Sequence, residues 1–341
     1  MKPAEKILLL GASGLLSGAA LEAFLAAGRS VTALTRGTRP LPAHPRLRVL
    51  RADRKDPAAL AAALKGETFD FTADFLAYDA ADVERLFAVP GFSPGRLAVI
   101  STGQVYLVTK DPRPPFREEA AEAPVIPEPE RGTRDWHNWV YGMGKRAAEA
   151  ALARLAAARG VPALALRLPV VQGERDGDNS KRLWAWLERM KDGGPLLLPD
   201  GGNNPVRFVY AGDAAAALLR LADLAEWPAR RALNLAQPAE TALKEFLLLA
   251  AECGGFSPRF VPVTAAHLAG AGLDGNCAPY WGRWCSRPDP AAAFALGFTA
   301  RGPREYLPAV VRAHLQAPPA APHEGYAGRA AELALAKELG F

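Results

Sequence analysis

The chain of 341 residues is 50% hydrophobic and 23% charged, with 31 glycines and 30 prolines, a composition that fits a loop-rich globular protein and excludes one disordered throughout. Its length suits a large domain with an attached lobe, or two domains. A formal net charge of +5 admits anionic ligands, but both signs are interspersed and no basic block forms, so nucleic acid is not an expected partner.

The start, "MKPAEKILLLGASG", passes from a short apolar run straight into glycines and an amphipathic pattern, with no cleavage site. No later stretch reaches membrane-spanning length, so no membrane partner is expected and the cytoplasm is the expected compartment. Short apolar runs then alternate with helical periodicity: "KILLLG", a helix from about Ser13 to Ala27, "SVTALT", "RLRVLR", a helix near "DPAALAAALKG", "FDFTADFL", a helix near "AADVERLFAV", and "RLAVIST". Strands apolar on both faces, alternating with helices, predict an α/β fold: a Rossmann-type doubly wound parallel sheet.

Residues 111–135 break the alternation with prolines and charges, as a lid or binding loop does. A helix carrying Tyr141 and the strand "PALALRLPVV" follow, then an excursion over 172–205 that opens on "QGERDGDN". "VRFVYAGDAAAALLRLADLA" and "ALNLA" resume the pattern. From Gln237 helices and proline-punctuated segments dominate, ending in a helical tail, "YAGRAAELALAKELGF". The expected organisation is a dinucleotide-binding domain over 1–171 and 206–236, and a smaller, mostly helical carboxyl-terminal substrate lobe over 172–205 and 237–341. Three cysteines without a Cys-x-x-Cys pair and five scattered histidines indicate neither disulfides nor a metal site.

"LLLGASGLLSG" places Gly11 and Gly14 after the first strand and at the opening of a helix, where bare backbone and a helix amino terminus receive a pyrophosphate. Ser13, Leu15 and Leu16 are expected beside them. Ser17 stands where the spacing expects a third glycine, and serine is small enough for helix-to-strand packing. The second strand ends "ALTRGTR", offering Arg36, with Arg39 nearby, to a ribose 2′-phosphate, so NADP is preferred over NAD. A solvated surface arginine is the plain alternative. Asp53 suits an adenine amino group or, equally, a cap for the helix starting near Asp56.

Tyr141 and Lys145, four apart, share one helix face. An ammonium beside a phenol favours the phenolate and makes the tyrosine a usable acid or base near neutrality. Thr102 ends an apolar strand at the carboxyl edge, where its hydroxyl can hold a substrate oxygen. Gly142 and Gly144 each cost a helix roughly 1 kcal/mol relative to alanine; the expectation is that they keep this face low for cofactor and substrate. Gln104, Arg182 and Arg207 are candidate substrate contacts, and Trp184 or Trp186 offers a stacking ring; core packing and a solvated helix face are the alternatives.

Taken together, "GASGLLSG", "ISTGQVY", "YGMGK", "LRLPVV", "RFVYAGDAAAAL" and "LNLA" resemble the short-chain dehydrogenase/reductase superfamily, in its extended, epimerase/dehydratase-like branch. The resemblance implies NAD or NADP as cofactor, Tyr141 as catalytic acid/base, Lys145 on the nicotinamide ribose, Thr102 as hydroxyl partner, and Leu76 and Pro169 lining the cofactor. Members that dehydrate sugars carry an acidic pair where this chain has Gly103 and Gln104, and sugar epimerases commonly have an acid where it has Arg36. Both departures point to a reductase or an unusual epimerase acting on a secondary alcohol or ketone of a small molecule, either a nucleotide sugar or a secondary metabolite. The alternative is a non-catalytic RNA-binding or regulatory protein on the same fold, like the chloroplast stem-loop-binding relatives. Oligomeric state is open; dimers through paired helices are common in the family, which makes the Tyr141 helix the candidate homodimer surface.

Overall fold

Each short apolar run in the first half becomes a strand. The computed structural model describes residues 3–175 and 180–341; part of the expected excursion opening, 176–179, lies outside them. Residues up to Gln172 form β1 (Lys6–Leu10), α1 (Leu15–Ala26), β2 (Ser30–Thr35), β3 (Leu47–Arg51), α2 (Pro57–Leu64), β4 (Phe71–Asp74), α3 (Ala80–Phe87), β5 (Arg96–Thr102), α4 (Gln104–Leu107), α5 (Arg134–Arg159), β6 (Ala163–Leu168) and β7 (Val170–Gln172). The next stretch forms α6 (Arg182–Lys191), β8 (Leu196–Pro199), β9 (Pro205–Val206), β10 (Phe208–Tyr210), α7 (Ala211–Asp223) and β11 (Ala232–Asn234). The last forms β12 (Thr241–Ala242), α8 (Leu243–Gly254), β13 (Phe260–Val263), α9 (Ala265–Gly270), α10 (Ala291–Ala295), α11 (Pro303–Gln316) and α12 (Arg329–Glu338).

Seven strands make one sheet in the order β11-β6-β5-β4-β1-β2-β3, every neighbouring pair parallel. The order reverses between β1 and β4, the switch point at whose carboxyl edge ligands of such sheets bind. Side chains of β1, β2, β4 and β5 are mostly buried, as a sheet covered on both faces requires, whereas the edge strand β3 is more exposed. The alanine face of α5, through Ala148, Ala151, Leu152 and Ala156, closes over Leu97 and Val99 of β5 together with Val83 and Phe87 of α3. The Thr133 hydroxyl accepts from the Trp136 N–H at 3.1 Å and caps the helix at Arg134, so Tyr141 lies well inside it. Within the proline-rich stretch before it, Glu118–Glu122 form a turn of 3-10 helix.

The chain divides into two compact units: residues 1–171, 211–236 and 286–300, and residues 172–210, 237–285 and 301–341. Two boundaries differ from the expected division. Residues 206–210 belong to the second unit, where Phe208 packs on Phe246 and Tyr280 with ring centroids 4.6 and 4.8 Å apart. Residues 286–300 return to the first, because the Phe116 N–H donates to Arg287 O and the Asp289 N–H to Phe116 O. The second unit is mainly helical, with β13 on β8 and β12 on β9 as short pairs. Its tail helix α12 is docked by charge: buried Arg189 donates to Glu332 Oε2 at 2.9 Å, and Arg329 to Asp192 Oδ2 at 2.7 Å.

Candidate active site

At the carboxyl end of β1, Gly11 takes φ +88°, a left-handed conformation open to glycine. A Cβ there would fall 3.1 Å from Leu76 Cγ, so only bare backbone lets the β4 loop close against this turn. Gly14 caps α1, and its N–H donates to Ser17 Oγ at 3.0 Å; the residue replacing the third glycine thus also braces the turn. Gly11, Ser13, Arg36, Asp53 and Leu76, all expected cofactor residues, line one cleft of about 370 Å³ with Arg54, Lys55 and Tyr78. Gly14, Leu15 and Leu16 form the adjoining first turn of α1 and are not part of that lining; Pro169 is buried between β6 and β7. Asp53 turns its carboxylate to the Lys55 N–H at 2.9 Å, while Asp56, through the Ala58 and Ala59 N–H groups, caps α2. Arg36 and Lys55 form no ion pair with an acid among the described residues. Bare backbone at a helix start beside two uncompensated cations suits a phosphorylated dinucleotide.

Arg54 is the residue sequence reasoning missed. Its guanidinium is buried and donates to both oxygens of Asp74, at 2.5 and 2.8 Å, and to Asp82 O at 2.6 Å. Asp74 also accepts from the Leu76 N–H at 2.8 Å, and Asp82 from the Tyr78 N–H at 2.8 Å. Burial alone would raise the Asp82 carboxyl, but the Tyr78 N–H and the guanidiniums of Arg54 and Arg85 outweigh it and hold it below the ordinary range. Asp74 and Asp82 together clamp the loop after β4. The signal was Asp74 itself: a carboxylate ending a buried strand requires a cationic partner.

Lys145 is 3% exposed. Its Nζ donates to Ala77 O and Ile100 O, both at 2.8 Å, tying α5 to the β4 loop and to β5 two residues before Thr102. Burial lowers its pKa to about 8, against the opposing pull of Asp74 and Glu149. Tyr141 lies on the same helix face, its ring centroid 6.0 Å from that ammonium and its side chain 39% exposed. The Thr102 hydroxyl accepts from the Gln104 N–H at 3.2 Å, and Gln104 Nε2 donates to Asn138 Oδ1 at 3.0 Å, joining α4 to α5 one turn before Tyr141. Expected as a substrate contact, Gln104 thus spends its amide nitrogen on the protein.

The expectation for the two glycines is corrected. A Cβ on Gly142 would sit 2.6 Å from Val108 Cγ1 and 2.9 Å from Gln104 O; one on Gly144 would sit 2.7 Å from Tyr78 O. The space they leave is filled by the Val108 side chain and by backbone carbonyls, which lets α5 dock on α4 and the β4 loop. Gly103 is likewise hemmed in by Ser286, so the position where sugar dehydratases place an acid has no room for a side chain. Beneath the site, Arg167 pairs with Glu149 at 2.6 Å and donates to the Tyr106 hydroxyl at 3.0 Å. Arg182 and Arg207 belong to the second unit. There Arg182 is exposed at the start of α6, and Arg207 donates to Pro238 O at 3.2 Å. Trp184 and Trp186 are 6% and 0% exposed, which makes them core residues and not stacking surfaces.

A doubly wound sheet with a glycine turn after β1 and a Tyr-Lys pair above β5 is the arrangement expected of the short-chain dehydrogenase/reductase class. The model of the NAD-dependent epimerase/dehydratase family matches residues 7–236, and the chain belongs to that family. A 2'-dehydrokanamycin reductase from Streptomyces kanamyceticus is 30% identical over 228 residues, covering 64% of this chain and 59% of that protein. Among solved structures, UDP-glucose 4-epimerase from Thermotoga maritima aligns with TM-score 0.70 at 17% identity, over 91% of this chain and 99% of that one. RMD from Pseudomonas aeruginosa, complexed with NADPH, aligns with TM-score 0.63 at 21% identity, over 91% and 99%. No helix among the described residues is long and apolar enough to cross a membrane.

Proposed function

We propose that this chain is an NADPH-dependent reductase of a small-molecule ketone, with Tyr141 as its proton donor. The observation that carries the reading is the Lys145 ammonium, held by two backbone carbonyls on the helix face shared with Tyr141. When bound, the dinucleotide supplies the hydride. Tyr141 gives its proton to the ketone oxygen, and the resulting phenolate charge is stabilised by Lys145, whose third N–H also suits a ribose hydroxyl. Thr102 holds the same oxygen. Pro169, Leu76, Ser13 and Gly14 are assigned to the cofactor, and Arg36 with Lys55 to a 2′-phosphate.

Reduction is preferred to dehydration because Gly103 leaves no place for an acid, and to tightly bound NAD-dependent epimerisation because Arg36 stands at the end of β2. The reductase relative points to a ketone on a hydroxylated or amino-bearing ring as the first substrate class to try. With family membership and the Tyr141–Lys145 pair together, catalysis is carried forward over the nucleic-acid-binding alternative.

The test is NADPH oxidation against a panel containing 2'-dehydrokanamycin, a nucleoside-diphosphate keto-sugar and an aryl ketone. Tyr141→Phe is expected to lower turnover of any accepted ketone by about a hundredfold or more while retaining NADPH binding. Undiminished turnover in that variant would falsify the assignment. Purified protein that carries stoichiometric NAD through denaturation and interconverts epimers without external cofactor would replace the reductase by an epimerase.

A further inference from the structure

A second phenol shares the site. Tyr78 follows β4, lines the same cleft as Gly11 and Arg36, and is 47% exposed. Its ring centroid is 4.6 Å from Lys145 Nζ, nearer than that of Tyr141 at 6.0 Å, and the two rings lie 6.4 Å apart. We propose that Tyr78 is a positioning residue of this enzyme, whose ring face holds the Lys145 ammonium in place and in its charged form. This rests on the reading of Tyr141 and Lys145 given above.

Three observations carry the assignment. The ring is fixed from behind: the Tyr78 N–H donates to Asp82, its carbonyl lies against Gly144, and the preceding residue, Ala77, accepts from Lys145 Nζ. The contact has the geometry of a cation–π pair, within about 6 Å of the ring centroid, and the ammonium is desolvated, where such pairs are strongest. The hydroxyl is poorly suited to proton transfer, because its partial desolvation against the protein, with the carboxylates of Asp74 and Asp82, pushes its pKa up. Two tyrosines beside one lysine therefore divide the labour: the ring of Tyr78 serves the ammonium, and the hydroxyl of Tyr141 serves the substrate. The charged groups acting on Lys145 from the surrounding elements are Asp74 on β4, Glu149 on α5, Arg54 after β3 and Asp82 on α3. None of them is altered by substitution at Tyr78.

The experiment is an NMR titration of protein labelled with ε-13C lysine, with Lys145 assigned by the signal missing in Lys145→Arg. It needs neither substrate nor turnover, so its outcome is independent of whether the ketone-reductase reading survives. Tyr78→Leu keeps the apolar cover and removes the ring; the Lys145 pKa is expected to fall by about half to one unit from its parent value near 8. Tyr78→Phe keeps the ring and is expected to hold that value. The basic limb of the kcat/KM profile should follow the same order. An unchanged or raised Lys145 pKa in Tyr78→Leu overturns the proposal, as does a fall in Tyr78→Phe equal to that in Tyr78→Leu. Should Tyr78→Leu fail to fold, phenylalanines of increasing fluorination at this position withdraw charge from the ring at nearly constant shape. The Lys145 pKa must then fall with each fluorine, and a flat series overturns the proposal equally.

Discussion

Lys145 shows how much a single buried charge can organise. Its ammonium sits where desolvation opposes ionisation, and it is retained because two carbonyls accept from it and several acids lie nearby. A pKa depressed to about 8 places the loss of its charge just above neutrality: below that value the ammonium supports Tyr141, and above it the support is withdrawn. Arg36 is the complementary case, a cation at the cleft that forms no ion pair among the described residues. If it binds a 2′-phosphate, Arg36→Ala should raise the Kd for NADPH by about tenfold or more and leave that for NADH nearly unchanged, a difference readable by calorimetric titration. The Tyr141–Lys145 pair and Arg36 are legible in sequence because spacing and position after a strand suffice to find them. Arg54 is not: its partners Asp74 and Asp82 lie 20 and 28 residues away, and only the fold makes them neighbours.

Helix α5 joins these parts, and its glycines test how. On an exposed helix, replacing glycine by alanine gains roughly 1 kcal/mol. At Gly144 the new Cβ would lie 2.7 Å from Tyr78 O, and forcing a methyl into packed backbone costs about 1–3 kcal/mol. The clash wins. Gly144→Ala is expected to lose up to about 2 kcal/mol in urea unfolding, and to weaken turnover more than stability alone explains, because the displaced loop carries Tyr78 and Leu76. A gain in stability would restore the expectation that the glycines keep this face low for cofactor and substrate. Helical period and composition locate α5, but not its first turn, which Thr133 sets, nor the neighbours its glycines accommodate.

Across the whole molecule the chain crosses between its two units several times, and each crossing is decided by contacts made far apart in sequence. In the second unit, Arg189 and Glu332 are both about 1% exposed. Removing one partner leaves the other charge buried, so Glu332→Ala is expected to cost about 3–5 kcal/mol and to make α12 an early site of limited proteolysis. By itself the sequence determined the strand–helix alternation, the parallel sheet, the glycine turn and the Tyr-Lys pair, because each is written in local periodicity or in a spacing of a few residues. The tertiary structure alone decided which segments share a unit, that Arg54 and Asp82 brace the cleft, that Ser286 closes the space at Gly103, and that Tyr78 faces Lys145. Those outcomes depend on residues brought together by packing, and a one-dimensional pattern carries no record of such distances.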